Sequence, residues 1–346
     1  MALKRGWLVM SVLAFVFWGG FSKGEARQIV DMTGRTVTVP DKIEKIYGTS
    51  PPATNLIYGV DPGRIVGLNF GVNEAEKKFI DQRLLSLPVV GGWFGQGHTP
   101  NMESLLVVRP DVILVWQYKN GMRNVDVEAA MRPLNASIVF VVLDNLTDYP
   151  AVFRFMGYLL GEEARTNLLA AYAEKTIADM ERLRSIIPEK ERVRVYYAEN
   201  PDGLSTECAT SIHAALIPLC GGVNVHLGVA QDGYGMEKVS MEQVLVYDPD
   251  VVLTHDGGFY ARLFEDKRWQ GIRAVQDNRV YLIPRLPMNW FDRPPSFMRL
   301  LGARWLAHRL YPQEYPLDVR EETRRFYALF LNHELEPADL EALFLP

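Results

Sequence analysis

Five loops of this chain carry aromatic or ionisable side chains, and three of them also contain glycine, a composition suited to holding a small organic ligand. They read GGWFGQGHTP (91–100), WQYKN (116–120), DGYGME (232–237), HDGGFY (255–260) and PRLPMNWFDRPPSF (284–297). Glycine allows close approach of a ligand to the backbone, and aromatic rings offer rigid flat surfaces with polar tips. The candidate contact residues are Trp93, Phe94, His98, Trp116, Tyr118, Tyr234, His255, Asp256, Trp290, Phe291 and Arg293. The alternative for about half of the aromatic residues is that they anchor their loops onto the protein body.

The ionisable residues of these loops limit the kind of ligand. Of six histidines, His98 and His255 are the candidate metal ligands, the alternative being surface or hydrogen-bonding histidines. The sequence has no His-x-His pair, histidine-rich loop or cysteine cluster of the kind that binds a bare transition metal tightly. It therefore favours a metal already wrapped in a chelator, or a molybdate-type oxyanion. Arg293 is suited to grip an anionic group, or else to pair with Asp292 or another acid.

Two similar segments position these loops. NMESLLVVRPDVILVW (101–116) and SMEQVLVYDPDVVLTH (240–255) are 139 residues apart and agree at eight of sixteen positions. In each copy, apolar residues at helical spacing are followed by a Pro-Asp turn and an uninterrupted apolar run. Such a run is typical of a parallel strand covered by helices on both faces. Each copy is thus predicted to form a helix, a turn and a buried strand, with a candidate loop at the carboxyl end of the strand.

Further short strands and helices are predicted around the two copies, which gives an α/β fold class. Predicted strands are RTVTVP (35–40, after the turn DMTG), RIVGLN (64–69), SIVFVV (137–142), RVRVYYAE (192–199) and RVYLIP (279–284). ATNLIYGV (53–60) is predicted to be a helix that ends at the turn DPG. A longer helix is predicted from about Glu162 to Ile187, where apolar residues follow one helical face. It would link two lobes, or else be an ordinary helix within one domain.

Composition indicates a globular protein of two lobes. The chain has 346 residues, 48% of them hydrophobic and 23% charged, with a net charge of −5. This charge gives no reason to expect nucleic acid as a partner. The segment 1–26 places Lys4 and Arg5 before an apolar run from Trp7 to Trp18. That layout predicts a cleavable secretory signal, with an uncleaved anchor as the alternative. The mature protein is expected to begin near Arg27 and to be exported to the periplasm.

Cys208 and Cys220 are the two cysteines of the chain. In an oxidising compartment two cysteines can form one disulfide. The alternative is a pair of buried free thiols.

The ordered set of motifs resembles the periplasmic substrate-binding proteins of iron-siderophore, cobalamin and related metal-chelate ABC importers. The motifs are the signal segment, DMTGRTVTVP, the paired MExxLxxxPDVxL segments, the long helix, CGGVNV and PPSFMRLLGARWLA. The resemblance implies two Rossmann-like lobes with mainly parallel sheets, joined by a single long helix, with the ligand in the cleft between them. The expected organisation is a signal peptide (1–26), an N-terminal lobe (27–147), a linking helical segment (148–188) and a C-terminal lobe with C-terminal helices (189–346).

The resemblance also implies partners and cargo. Glu103 and Glu242 lie at matching places in the two copies, where the family carries glutamates that pair with arginines on two permease subunits. The alternative is that each only favours the first turn of its helix through the helix dipole. The expected assembly is a monomer that delivers an iron-siderophore type of chelate to an inner-membrane permease dimer with its cytoplasmic ATPase. A molybdate or tungstate oxyanion and a corrinoid are the alternative cargoes, and no intrinsic cofactor is expected.

The alternative to a binding protein is an enzyme. Two-lobed metal-dependent enzymes share this architecture, and in such an enzyme His255 and Asp256 would act as general acid and base. The sequence has no Gly-x-Ser-x-Gly elbow, no dinucleotide-binding glycine motif after the first strand and no zinc-protease motif. The chain is therefore predicted not to be an enzyme.

Overall fold

The computed structural model describes residues 25–93, 99–118, 124–228 and 236–344. At the start of these ranges a hairpin pairs β1 (Ala26–Val30) with the antiparallel strand β2 (Thr36–Pro40). The Asp31 carboxylate closes the turn by accepting hydrogen bonds from the backbone N–H groups of Thr33 and Arg35. The predicted DMTG turn and the strand after it are confirmed.

A parallel three-stranded sheet in the order β3-β4-β5 forms the first lobe. Its strands are β3 (Ile46–Gly48), β4 (Val112–Gln117) and β5 (Ser137–Val142), and its helices are α1 (Pro51–Val60), α2 (Met102–Val108) and α3 (Asn124–Met131). The first four residues of β4 are buried, as expected for a strand covered on both faces. The predictions of a helix at 53–60 and of strands at 111–116 and 137–142 are confirmed.

The prediction that RIVGLN (64–69) forms a strand is wrong. Ile65 forms a single bridge to Ile46, whereas Leu68 forms a single bridge to Val89 on another segment. Because the two bridges go to different neighbours, no continuous ladder forms, and an apolar run of this length alone could not reveal that.

Two helices follow the first-lobe sheet, and the second of them links the lobes. The first, α4 (Tyr149–Leu160), ends at Gly161, whose φ of +70° is the left-handed conformation that glycine favours. The second, α5 (Glu163–Ile186), has 24 residues and is about 36 Å long at 1.5 Å per residue. It confirms the long helix predicted from the sequence. The buried face of α5 includes Leu169, Ala173, Thr176, Met180 and Leu183.

A second parallel sheet, in the order β11-β10-β6-β8, forms the other lobe. Its strands are β6 (Arg194–Ala198), β8 (Val223–Asn224), β10 (Val251–Thr254) and β11 (Val280–Leu282), and β7 (Ser205–Thr206) pairs with β9 (Glu237–Lys238) as a small antiparallel ribbon. Its helices are α6 (Leu216–Leu219), α7 (Met241–Tyr247), α8 (Gly257–Leu263) and α9 (Arg273–Gln276). The predicted strands at 192–199, 250–255 and 279–284 are confirmed with shorter bounds. Two parallel-sheet lobes joined by a long helix give the predicted fold class.

The chain then returns to the first lobe. Helix α10 (Met298–Leu310) packs on α5, and it is followed by α11 (Val319–Phe326), a π-helical turn (Tyr327–Leu331) and α12 (Pro337–Phe344). We call residues 319–344 the C-terminal strap. Among the described residues, no helix combines the length and the apolar character needed to cross a membrane.

The C-terminal strap contacts both lobes. Lys78 of the first lobe pairs with the buried Asp339 of α12, and the Phe79 ring lies edge-on to Tyr327 at 6.2 Å between centroids. On the other side, Phe344 of α12 lies edge-on to Trp290 at 5.8 Å. The strap therefore joins the lobes a second time, through side-chain contacts with each of them.

Candidate functional site

A cleft of about 440 Å³ lies between the two lobes. One wall comes from residues 51–84 of the first lobe, and the other comes from His255 and residues 285–294 of the second lobe. His255 directly follows β10, and residue 285 lies three residues after the end of β11. The cleft thus lies at the carboxyl edge of a parallel sheet, where α/β folds commonly bind ligands.

The first-lobe wall is built from amide and aromatic side chains. Asn69 holds the wall in place, because its amide donates to the carbonyl groups of Gly48 and Gly91 at 3.0 Å each, and its Oδ1 accepts from the Thr54 hydroxyl at 2.7 Å. Asn55 also lines the cleft, and its Nδ2 is buried without a hydrogen-bond partner. A buried donor without a partner is costly, so Asn55 is available to a ligand. Phe70, 49% exposed, adds an aromatic surface.

The amino end of α1 lies at this wall. Ser50 is the residue before the helix, and its hydroxyl is buried without a hydrogen-bond partner. The next two residues, Pro51 and Pro52, have no backbone N–H to offer. This helix end therefore offers a bound anion fewer backbone donors than an ordinary helix amino terminus does.

The opposite wall rests on a buried cluster of acids around Arg293. The Arg293 Nε lies 3.2 Å from Glu199 Oε1 and 3.1 Å from Asp292 Oδ2, and Nη2 pairs with Glu207. All three carboxylates are at most 1% exposed, and His213 pairs with Asp292. One guanidinium thus faces three carboxylates. We call Arg293 with these three acids the buried acid cluster.

The excess of acids has a consequence for protonation. Burial raises the pKa of Glu199 from its ordinary value of 4.5 to about 7; the Arg293 charge opposes the rise, and Glu207 and Asp292 add to it. Near neutral pH, Glu199 is therefore present in both its protonated and its ionised forms. Arg293 lines the cleft, but its positive charge is already compensated from behind.

Arg285 is the cation of the cleft that keeps its charge available. It is exposed and lines the cleft, and within the described ranges it forms no ion pair. Glu76 also lines the cleft; burial raises the pKa of its carboxyl group, and the Arg285 charge opposes that rise. An unpaired guanidinium at a cleft wall is suited to binding an anionic group with two parallel hydrogen bonds.

His255 lines the cleft as expected from the sequence. Its Nδ1 lies 2.9 Å from the Tyr197 hydroxyl, and burial lowers the pKa of the imidazole from 6.5. Burial also raises the pKa of Tyr197 well above 10. His255 is therefore neutral at pH 7, with one ring nitrogen engaged by a tyrosine that keeps its proton. Among the described residues, no group of three or more histidine, cysteine, aspartate or glutamate side chains is arranged to hold a metal ion.

The remaining candidates from the sequence lie in different places. Trp116 donates from Nε1 to the Leu143 carbonyl at 2.8 Å, and its ring lies tilted against that of Tyr118 at 4.7 Å between centroids, in a narrow gap between the lobes. Trp93 is half-buried against the first-lobe core, and its backbone N–H donates to Thr49. The Asp256 carboxylate caps α8 by accepting from the Phe259 N–H at 2.6 Å. Phe94, His98 and Tyr234 lie outside the described residues.

Two aromatic candidates are wrong as ligand contacts. Trp290 is fully buried and its Nε1 donates to the Leu286 carbonyl, while Phe291 is buried against Tyr197 at 4.8 Å. Both belong to the main hydrophobic core. The loop around them folds inward because large rings stabilise the protein more when they are removed from water.

Of the two alternatives that the sequence left open for the cysteines, the structure has the free thiols. Cys208 and Cys220 are both buried free thiols. The Cys220 Sγ donates to the Ala303 carbonyl at 3.3 Å, and burial raises the pKa of this thiol. Cys208 instead lies 3.5 Å from the Thr210 hydroxyl. Each cysteine therefore behaves as a small apolar core residue.

Sequence reasoning missed Asn55, Asn69, Phe70 and Arg285. Arg285 belongs to the same loop as Arg293, which stands among more aromatic residues. A usable signal was its place just after the strand RVYLIP, at the same sheet edge as His255. Asn55 lies within α1, and Asn69 and Phe70 lie in an irregular segment after it; the sequence does not give the order of these parts in space.

The two copies of the repeated segment form matching surface helices. Glu103 on α2 and Glu242 on α7 are exposed. Asn101 caps α2 by accepting from the Ser104 N–H, and Ser240 caps α7 by accepting from the Gln243 N–H. Hydrogen bonds from its own backbone N–H and from Ser240 lower the pKa of Glu242.

Comparison with known proteins gives consistent similarities. The family model described as "Periplasmic binding protein" matches residues 89–286. The molybdate-binding protein MolA of Haemophilus influenzae is 27% identical, over 92% of this chain and 94% of that protein. A vitamin B12-binding protein of Vibrio cholerae is 25% identical, over 76% of this chain and 88% of that protein. The solved structure of an ABC transporter solute binding protein from Sulfurospirillum deleyianum is 38% identical with a TM-score of 0.85, and the match covers 92% of this chain and 99% of that one.

Proposed function

The chain belongs to the periplasmic binding protein family and is the binding protein of an ABC importer; on that premise we propose that its cargo is a compact, negatively charged metal chelate held in the interlobe cleft. The observation that carries the proposal is Arg285, an exposed cation of the cleft wall that forms no ion pair within the described ranges. Such a cation attracts an anionic ligand and fixes its orientation.

The size of the cleft supports a compact ligand. Its volume of about 440 Å³ lies in the lower half of the range of about 300–1,000 Å³ that is usual for small-molecule sites. Its walls combine Phe70, Tyr58 and Met288 with the amides of Asn55 and Asn289. Mixed walls of this kind suit an organic ligand with a polar rim.

The metal is proposed to arrive with its own chelator. Within the described residues, the protein offers no set of side chains that would replace a metal's ligands. His255 is neutral and is engaged by Tyr197, so it is suited to donate or accept one hydrogen bond at the rim of a chelate. Iron with a siderophore is the first chelate to test, as expected from the sequence.

A molybdate-type oxyanion is the second candidate, favoured by the similarity to the molybdate-binding protein of Haemophilus influenzae. The buried Ser50 hydroxyl and the amino end of α1 are the groups that would receive it. Pro51 and Pro52 weigh against it, because they remove two backbone donors from that end.

Native mass spectrometry with elemental analysis of the protein purified from its own periplasm separates these candidates. Iron, cobalt or nickel together with an organic mass supports the chelate. Molybdenum or tungsten without organic mass would replace it with the oxyanion. Turnover of a chromogenic ester or phosphate by the purified protein would overturn a binding function altogether. Titration of tryptophan fluorescence with sodium molybdate and with a ferric catecholate complex gives an independent comparison of affinities.

Docking to the permease is proposed to use Glu103 and Glu242. Both acids are exposed at matching positions of α2 and α7, one on each lobe, which suits a partner with twofold symmetry. The double variant Glu103→Lys with Glu242→Lys is expected to abolish import and to leave ligand affinity unchanged. Loss of ligand binding in that variant would place the acids in the site instead.

Export is proposed to rely on the segment 1–26 as a cleaved signal. The N-terminal sequence of the protein isolated from the periplasm is expected to begin near Arg27. A mature protein that keeps Lys4 and Arg5 and remains with the membrane fraction would instead identify the segment as an anchor.

A further inference from the structure

Helices α2 and α7, which carry Glu103 and Glu242, each expose two adjacent apolar side chains. On α2, Leu106 is 49% and Val107 is 80% exposed. On α7, Leu245 is 44% and Val246 is 77% exposed. We call the first two residues the N-lobe pair and the other two the C-lobe pair. Single exposed apolar residues are common on protein surfaces, but an adjacent pair repeated at the same place in both lobes is not explained by chance exposure.

Each pair shares one helix face with a glutamate. Relative to Glu103, the N-lobe pair stands at positions i+3 and i+4, and the C-lobe pair stands at the same positions relative to Glu242. Residues three and four apart lie on the same side of an α-helix. Leu105 and Val244, which are fully buried, hold the opposite face of each helix against its lobe. Each lobe therefore presents one footprint that consists of an acid and two apolar side chains.

The two footprints correspond residue for residue. They are related by the offset of 139 residues that relates the repeated segments. Each helix has the same place in its lobe, because α2 directly precedes β4 and α7 directly precedes β10, and both strands lie inside their parallel sheets. A partner that presents one surface twice would match this arrangement.

We infer that the N-lobe pair and the C-lobe pair are apolar anchors that insert into the two subunits of the importer's permease. The inference rests on the proposed docking function and adds a division of roles to it. The glutamates fix register and attract a basic partner, whereas the apolar pairs supply contact area that is removed from water on docking.

The small size of the footprints argues for a permease dimer over a second copy of this chain. Four such side chains expose at most about 500 Å² in total, below the roughly 1,000 Å² that a specific interface needs. One pair alone would form only a weak contact. A partner that engages both pairs at once gains from effective concentration, because the second contact forms within the same complex.

The charge of the footprints argues against a lipid surface. Membrane surfaces rich in anionic lipids attract lysine and arginine near their headgroups. Here an exposed glutamate stands beside each pair instead. The same acids are complementary to a basic protein surface.

Photo-crosslinking at the pairs tests the inference. A benzophenone amino acid is placed at Val107 or Val246, and the receptor is mixed with nanodiscs that hold the cognate permease and its ATPase. Crosslinks to the permease subunits are expected from both positions. The same group at Leu168 of α5, which is 61% exposed, is the matched control and is expected to give none. Crosslinks to a second receptor, or to lipid alone, would overturn the inference.

Substitution measures the contribution of each pair. Replacing both residues of one pair by serine is expected to weaken binding to the nanodiscs at least tenfold, and replacing both pairs is expected to abolish binding. Val30→Ser, at a position that is 60% exposed, is expected to change nothing. Ligand affinity and the unfolding transition of each variant are measured in the isolated receptor and are expected to match the parent.

The outcomes separate the inference from the docking proposal. If the parent protein fails to bind the nanodiscs, the docking function itself is wrong, and the inference falls with it. If Glu103→Lys with Glu242→Lys abolishes binding while the serine variants bind like the parent, docking stands and the apolar anchors are refuted. A parent receptor that is dimeric by light scattering and becomes monomeric in the serine variants would assign the pairs to self-association and refute the inference.

Discussion

Replacement of Glu199 by glutamine isolates the buried acid cluster from the rest of the protein. Glutamine has the shape of the protonated carboxyl group and is neutral at every pH. In the parent, Glu199 is fully buried beside Arg293, Glu207 and Asp292. The variant therefore reports what ionisation of this one group costs the folded state.

The magnitude follows from the pKa of Glu199, which is raised from 4.5 to about 7 in the folded protein. The folded state holds this proton more tightly than the unfolded chain does. The stabilisation is therefore fully present below pH 4.5 and is lost as the pH rises toward 7. At 1.36 kcal/mol per pH unit, the difference between the two pKa values corresponds to about 3 kcal/mol. The variant avoids this loss and is expected to be more stable than the parent at pH 8.

Urea denaturation at pH 5 and pH 8 measures the difference. The advantage of Glu199→Gln is expected to be about 1 kcal/mol at pH 5 and about 3 kcal/mol at pH 8. Glu265→Gln, at an exposed position outside the cluster, is the control and is expected to show no pH-dependent gain. An advantage that does not change with pH, or a variant less stable than the parent at pH 8, would refute the account of the buried acid cluster.

Three further predictions concern the cleft and the core. In the fluorescence titration, Arg285→Ala is expected to weaken ligand binding about ten- to a hundredfold, since a hydrogen bond to a charged group contributes about 1.5–3 kcal/mol. The control is Arg268→Ala, at an exposed arginine that already pairs with an acid, and it should bind the ligand as the parent does. Trp290→Ala should lower the free energy of unfolding by about 3–5 kcal/mol in urea, because it empties a core position, and unchanged stability would contradict its burial. Ellman's reagent should find two thiols, Cys208 and Cys220, after denaturation and none before it, and a protein that yields thiols only after reduction would contradict the free cysteines.

Much of the fold was predictable because it depends on local pattern. The helix, Pro-Asp turn and buried strand of each repeated segment follow from periodicity and from proline, and both appear in the structure. The 24 residues of α5 likewise follow from an uninterrupted helical face. RIVGLN failed because its bridges go to two different segments. That choice of partners is made by tertiary contacts, which a local pattern does not contain.

The cleft was only partly predictable. His255 and Arg293 line it as expected, because strand ends of one parallel sheet meet at one edge. The alternative that Arg293 pairs with Asp292 is confirmed. Its pairing with Glu199 and Glu207 was not predictable, since these acids come from segments about 90 residues away in the sequence. Trp290 looked like a ligand contact because it stands beside ionisable residues in a proline-rich loop. In the structure it packs in the core, where one of its neighbours is Phe344 at the far end of the chain.

The two lobes are connected both by helix α5 and by the C-terminal strap. A hinge motion that moves the lobes apart and opens the cleft would break the contacts of Lys78 with Asp339 and of Phe79 with Tyr327. The Tyr327 hydroxyl also donates to the Leu286 carbonyl, beside Arg285 in the cleft wall. The strap therefore couples the separation of the lobes to Leu286, the neighbour of Arg285 in the cleft wall.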